Sequence, residues 1–243
     1  MELRQKTIVI TGGTSGIGYE LVKQLHSDNQ IIVISSNLNK LQRLSQNFCS
    51  VVTYQTDLSK SNDIKALSTT IRKQHNSIDI LINNAAVQYA PTFLDPAFKH
   101  DNIATEIATN FTSICSLTYL LLPALLHTTP SIILNVNSGL ALAPKTSSAI
   151  YCATKGALNI FSQSLRYQLA NTNIAVQQCF LPLVDTNMTA GRGKNKLSAE
   201  IVATSIIHGI EKEILEHDVG KVKWLRRLLR LSPSFTQKVM QKY

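Results

Sequence analysis

Near the N-terminus a short β-branched run, Ile8-Val9-Ile10-Thr11, breaks into Gly12-Gly13-Thr14-Ser15-Gly16-Ile17-Gly18, and a helical apolar pattern of Ile17, Leu21, Val22 and Leu25 follows. Strand, tight glycine turn and helix in that order leave few folds open. Gly12 can take backbone angles closed to other residues, and Gly16 and Gly18 lack a Cβ that would block close approach. The free N–H groups that start the helix then face an anion, aided by the helix dipole. A glycine-rich βα turn without a ligand looks the same locally. The rest of the chain has to decide between the two.

The rest of the chain repeats the alternation. Strand-like runs at Ile31–Ile34, Val51–Gln55, Ile78–Ile82 and Ile132–Val136 are separated by helix-like segments. Such alternation predicts an α/β chain, a single-domain Rossmann-type doubly wound parallel sheet flanked by helices. With 243 residues there is room for one such domain and no second one. Ligands of these folds bind at the carboxyl ends of the strands, where the strand order reverses.

Those strand ends carry candidate binding residues. The second strand runs into Ser35-Ser36-Asn37. An acidic residue here favours NAD through the ribose hydroxyls, and an arginine favours the 2′-phosphate of NADP. The chain has neither; small polar groups leave room for a phosphate, with Lys40 and Arg43 on the next helix, so the balance favours NADP(H) over NAD(H). Asp57-Leu58 follows the third strand, where the carboxylate can accept from an adenine amino group or cap a helix starting near Ser59. The fourth run ends in Asn83-Asn84-Ala85-Ala86, small enough for the backbone to lie against a flat ring.

Chemistry-bearing residues lie further along. Tyr151-Cys152-Ala153-Thr154-Lys155 sits in a helical pattern. One turn puts the phenol and the ammonium on one face, with Cβ atoms about 5–6 Å apart. A fixed positive charge favours the phenolate and is expected to bring the tyrosine pKa down toward the working range. Ser138 ends the strand before that helix, where its hydroxyl can polarise a substrate oxygen or simply serve the turn. Asn110, inside the apolar helix Phe111 to Leu126, is a fourth candidate, where a polar residue otherwise faces solvent or bonds locally.

Thr-Gly-x-x-x-Gly-x-Gly at Thr11 to Gly18, Asn-Asn-Ala at Asn83 to Ala85, Ser138, and Tyr-x-x-x-Lys at Tyr151 to Lys155 together resemble the short-chain dehydrogenase/reductase family. The resemblance rests on the set, in order and at family spacing, over roughly residues 5 to 220. Asn135-Val-Asn-Ser-Gly-Leu-Ala and Leu183-Val-Asp-Thr-Asn-Met-Thr further resemble the DltE-like branch, named after a D-alanine esterification locus. The resemblance implies an NAD(P)-dependent oxidoreductase interconverting a carbonyl and an alcohol. Tyr151 would be the general acid/base, Lys155 would lower its pKa and bind the nicotinamide ribose, and Ser138 would hold the substrate oxygen. Asn110 would position Lys155 through a water. Thr11, Gly12, Thr14, Ser15, Gly16, Ile17 and Gly18 would surround the pyrophosphate. Ser36 and Asn37 would meet the adenosine ribose, Asp57 and Leu58 the adenine, Asn84 and Ala85 the adenosine side of the pocket, and Thr186 the carboxamide. Two positions depart from the family pattern: Ala86 where Gly is usual, and Leu181-Pro182 where Pro-Gly is.

Charge is unevenly placed. The formal net charge is +9, and seven of the Lys and Arg residues fall at or after Lys221 with no acid among them, so the remainder is close to neutral. The division is therefore a catalytic domain over 1–220 and a basic amphipathic tail over 221–243. Within the tail Val222, Leu225, Leu228 and Leu229 are expected on one face, with Lys223, Arg226, Arg227 and Arg230 mostly on the other. Such a helix can pack on the body, on a second subunit of a homo-oligomer, or on an anionic membrane surface. No nucleic-acid motif accompanies the charge. Glu2, Arg4 and Lys6 interrupt any secretory signal, and Leu117–Leu126 is too short to span a bilayer and contains Pro123. A cytoplasmic protein, possible membrane contact aside, is expected. Cys49, Cys115, Cys152 and Cys179 lack redox spacing and the six histidines lack metal-ligand spacing, so reduced thiols and no metal are expected. The partner is a small-molecule carbonyl or alcohol substrate bordered by the segment after Ala86, the loop 140–148 and the region 187–198, where Arg192 and Lys194 either attract an acidic group or belong to a solvated loop. The rival from another class is a non-catalytic nucleotide sensor reporting through its basic tail.

Overall fold

A computed structural model describes residues 1–242. Seven parallel strands form one sheet: β1 (Thr7–Thr11), β2 (Gln30–Ser35), β3 (Val52–Gln55), β4 (Ile80–Asn83), β5 (Ser131–Ser138), β6 (Ile174–Leu181) and β7 (Glu216–Asp218). Their order across the sheet is β3-β2-β1-β4-β5-β6-β7. The chain winds outward from β1 to β3, then returns to place β4 on the other side of β1. That reversal opens a crevice at the carboxyl ends of β1 and β4. The expected fold class is the observed one.

Alternation along the strands explains the two layers of helices. On β1, Ile8 and Ile10 point to one face and Val9 to the other. The first face packs against α1 (Gly16–Leu25), α2 (Leu38–Asn47) and α7 (Ala199–Glu211) through Leu21, Leu44 and Ile206. The second packs against α3 (Ser61–Gln74), α5 (Ser113–Leu125) and α6 (Ala149–Gln168) through Ile71, Leu121 and Leu165. Strands buried on both faces need continuous apolar runs, and the β2 sequence Ile31-Ile32-Val33-Ile34 is one.

The helix carrying Asn110 is longer than the sequence pattern suggested. α4 (Asp101–Ile107), a π-helical turn (Ala108–Thr112) and α5 follow one another without a break. The run 101–125 is long and apolar enough to cross a membrane by length and composition. Ile114, Leu117, Leu121 and Leu125 are nonetheless buried in the domain core, which accounts for its apolar character.

The tail docks with a different face than its sequence suggests. α8 (Val222–Leu231) is followed by α9 (Pro233–Met240). Val222 is buried as expected, but Leu228 is exposed. Arg226 instead turns inward: it donates to both carboxylate oxygens of Asp218 at 2.6 and 2.8 Å, pairs with Glu216 at 3.3 Å, and lies over the Phe180 ring. Two acids on the edge strand β7 demand a cation, and a long arginine stem covers an aromatic face while delivering one.

Candidate active site

The glycine turn closes on itself. Gly12 and Gly16 have φ of +69° and +54°. A Cβ on Gly18 would sit 2.2 Å from the Gly12 carbonyl oxygen, so no other residue fits there. Thr11 Oγ1 accepts from the N–H groups of Asn84 and Ala85, and Asn84 Nδ2 donates back to the carbonyls of Thr11 and Gly12. The ends of β1 and β4 are thereby locked together. Ser15 caps α1 without a side-chain bond to its N–H groups, Ile17 packs its side chain on the core, and Thr186 approaches the turn from across the crevice, its methyl 3.0 Å from where a Gly16 Cβ would stand. Open donors at a helix start, two left-handed glycines and a roof supplied by Thr186 fit a pyrophosphate.

At the carboxyl end of β2, Thr14 and Ser35 hydroxyls meet at 3.1 Å, Ser36 is exposed, and Asn37 caps α2 by accepting from Lys40 N. Asp57 binds the backbone and hydroxyl of Ser59 at 3.0 and 2.7 Å, which holds its carboxyl below the usual range. It does not cap a helix near Ser59, because α3 starts only at Ser61. Leu58 is buried beneath it.

Ser138, Tyr151, Lys155 and Asn110 are carried by β5, α6 and the π-helical turn. Ser138 ends β5; its Oγ accepts from Leu140 N at 3.1 Å and lies against the Tyr151 phenol, which it draws toward ionisation. Lys155 is 2% exposed, one turn along α6 from Tyr151, and its Nζ donates to Val136 O at 2.8 Å. Burial pushes Lys155 down to about 8 and Tyr151 up to about 12. Tyr151 is therefore raised in the free protein where a lowering was expected, and burial rather than Lys155 sets that direction. Removal of the side chains from water sets the direction of both shifts, and the Lys155 Nζ is turned to the Val136 carbonyl, 5.7 Å from the centre of the phenol ring. Ser148, the N-cap of α6, is in a left-handed conformation (φ +60°), a local strain of about 1 kcal/mol three residues before Tyr151.

Asn110 sits inside the π-helical turn and is fully buried. It grips Val87 by both backbone groups at 2.8 Å and reaches Thr154 Oγ1 at 3.4 Å; it touches the residue before Lys155, not Lys155 itself. Four residues before it Glu106, 2% exposed, accepts from Tyr89 N at 3.2 Å, and burial raises its carboxyl to about 7. Sequence reasoning missed Glu106, although a carboxylate one turn from Asn110 on an apolar helix was a signal. It also missed Gln88, whose Oε1 accepts from Arg192 at 2.9 Å and so ties the loop 187–198 to the β4 exit. Lys194 is exposed. Asn83, Asn135 and Ser162 form a buried polar chain at 2.8 Å per link, pinning β4 and β5 to α6. Among the described residues no cluster suited to a metal is found, and all four cysteines are free.

The short chain dehydrogenase family profile matches residues 6–197. An uncharacterized oxidoreductase, DltE, of Bacillus subtilis is 33% identical over 237 residues, spanning 95% of this chain and 94% of its own. An uncharacterized oxidoreductase of Staphylococcus epidermidis is 26% identical over 86% of the chain and 92% of its own. Among solved structures, a Burkholderia phymatum short-chain dehydrogenase/reductase in complex with NAD superposes with a TM-score of 0.84 at 19% identity over 95% of this chain and 96% of that one. A Burkholderia cenocepacia short chain dehydrogenase in complex with NADP does so at 0.85 and 19% over 99% of each. The crevice, its Tyr151–Lys155 pair and this likeness over nearly the whole chain have one common account: the chain is a DltE-like enzyme of the short-chain dehydrogenase/reductase family.

Proposed function

We propose that the protein interconverts a carbonyl and an alcohol on a small molecule, with Tyr151 as the general acid/base and NADP(H) as the favoured cofactor. The observation that carries this is Lys155, buried one turn behind Tyr151 on α6 with its Nζ on Val136 O, beside Ser138 at the end of β5, whose hydroxyl draws the Tyr151 phenol toward ionisation. Ser138 accepts from Leu140 N, which leaves its O–H to donate, to the Tyr151 phenol in the free protein and to a substrate oxygen when one is bound. Tyr151 gives its proton to that oxygen in reduction and takes it back in oxidation. Lys155 spends one N–H on Val136 O and keeps two for ribose hydroxyls. A bound nicotinamide dinucleotide supplies or accepts the hydride. Gly12, Gly16 and Gly18 would hold its pyrophosphate, Asp57 its adenine and Thr186 its carboxamide. Asn110 acts as a positioning residue, holding Val87 and Thr154, the residue before Lys155, and would reach Lys155 itself only through a water. Nothing acidic at Ser36 or Asn37 repels a 2′-phosphate, which favours NADP(H).

Tyr151→Phe keeps the ring and removes the proton donor. Turnover should fall by about 10³-fold or more, with cofactor affinity unchanged by fluorescence titration. A panel of ketones, aldehydes and alcohols, run with both cofactors, provides the assay. Turnover surviving in the phenylalanine variant would overturn the role given to Tyr151.

A further inference from the structure

The C-terminal helices turn a second apolar face away from the body. α8 seats Val222 and Leu225 against Gly139 and spends Arg226 on Asp218 and Glu216. On its opposite side Trp224, Leu228 and Leu231 are 63%, 42% and 83% exposed. At 3.6 residues per turn those three share one arc of the helix, and Lys223, Arg227 and Arg230 share the arc beside it. α9 continues the composition: Phe235 and Val239, one turn apart, are 56% and 39% exposed, with Lys238 and Lys242 nearby. None of these outward cations is in an ion pair among the described residues, and no acid follows Asp218 in the sequence.

We propose that the outer face of α8 and α9 binds the surface of an anionic lipid bilayer. An apolar stripe flanked by cations without acidic partners, Arg227 lying over the Trp224 ring, matches a headgroup region, where acyl chains take the apolar side chains and anionic lipids take the charge. Tryptophan favours that boundary. A two-fold pairing with a second copy is a poor occupant, because it would bring two faces of like charge together, the tail carrying seven Lys and Arg residues and no acid. The same helix packs on Gly139, the residue after Ser138, so the bilayer would lie across one helix diameter, about 10–12 Å, from the backbone that carries the site.

Trp224 is the only tryptophan, so its emission reports this face alone. The full-length protein is mixed with vesicles of phosphatidylcholine alone, or of phosphatidylcholine with phosphatidylglycerol, and followed by fluorescence and co-sedimentation. Binding and a blue shift are expected only with phosphatidylglycerol, and raised salt should reverse both. Lys223→Gln, Arg227→Gln and Arg230→Gln together should lower partitioning about fivefold per charge removed. Leu228→Asn with Leu231→Asn should reduce the shift while circular dichroism stays unchanged, since both positions are exposed. No phosphatidylglycerol-dependent binding, or binding indifferent to the three charges, would overturn the proposal. So would a blue shift that grows with protein concentration in the absence of lipid, because a second copy would then be the occupant.

Discussion

Burial acts on Lys155 and Tyr151 in opposite senses on the pH axis. Lys155 falls from 10.5 to about 8, so between those values the unfolded chain holds a proton that the folded chain has lost, and stability rises with pH. Tyr151 rises from 10.0 to about 12, so in that window the folded chain keeps its proton and stability falls with pH. The pair alone therefore gives the cofactor-free protein a stability maximum near pH 10. Below pH 8 the buried ammonium costs roughly 3 kcal/mol. Lys155→Met removes that cost and loses a bond to Val136 O worth about 1 kcal/mol. The variant should gain about 2 kcal/mol in urea denaturation at pH 7 and lose turnover. Lower stability at pH 7, or no rise in the wild type from pH 8 to 10, would sink this account. The pairing of the two residues is legible in the sequence because an i, i+4 spacing is a local fact. The direction of the tyrosine shift is not, because burial is set by β5 and the elements packed over it.

The helical run from Asp101 to Leu125 shows the same division between local and tertiary information. Its apolar pattern marks a core helix, but nothing in the residues announces the π-helical turn that aims Asn110 at Val87. Glu106, one turn earlier, holds Tyr89 N and rises from 4.5 to about 7. A raised carboxylate contributes stability that is full below pH 4.5 and lost as pH climbs through 7. Glu106→Gln keeps an oxygen for the Tyr89 N–H and cannot ionise. Its stability should stay flat across that window, where the wild type loses roughly 3 kcal/mol; an unchanged pH profile would show that Glu106 is not the group responsible. The loop 187–198 is a second such element. Arg192→Ala cuts its tie to Gln88, leaves Ser138 and Lys155 in place, and removes only the least of the influences on the Tyr151 phenol. KM should rise several-fold while kcat changes less than about twofold, the pattern of lost ground-state binding. A fall in kcat alone would instead place Arg192 in the chemistry.

Across the whole molecule, the doubly wound sheet was legible because strands buried on both faces must be continuously apolar, as Ile31–Ile34 is, and because Gly12, Gly16 and Gly18 admit little else. The docking face of α8 was not, since Arg226 answers to Asp218 and Glu216 across the fold rather than to its own helix. Cofactor choice is also a property of the whole chain, because any ligand bound only by the folded state stabilises all of it. Free ligand at a hundred times its Kd adds about 2.7 kcal/mol. β2 delivers Ser36 and Asn37 to the adenosine end with no carboxylate, so at equal concentration NADP+ should raise Tm more than NAD+. Ser36→Asp places a charge where the 2′-phosphate would lie and gives ribose hydroxyls an acceptor instead. Because Ser36 is exposed, the substitution should leave the Tm of the free protein within about 1 °C while reversing the order of the two cofactor shifts. If NADP+ still stabilises the aspartate variant more than NAD+ does, the phosphate is read by residues other than those at the end of β2.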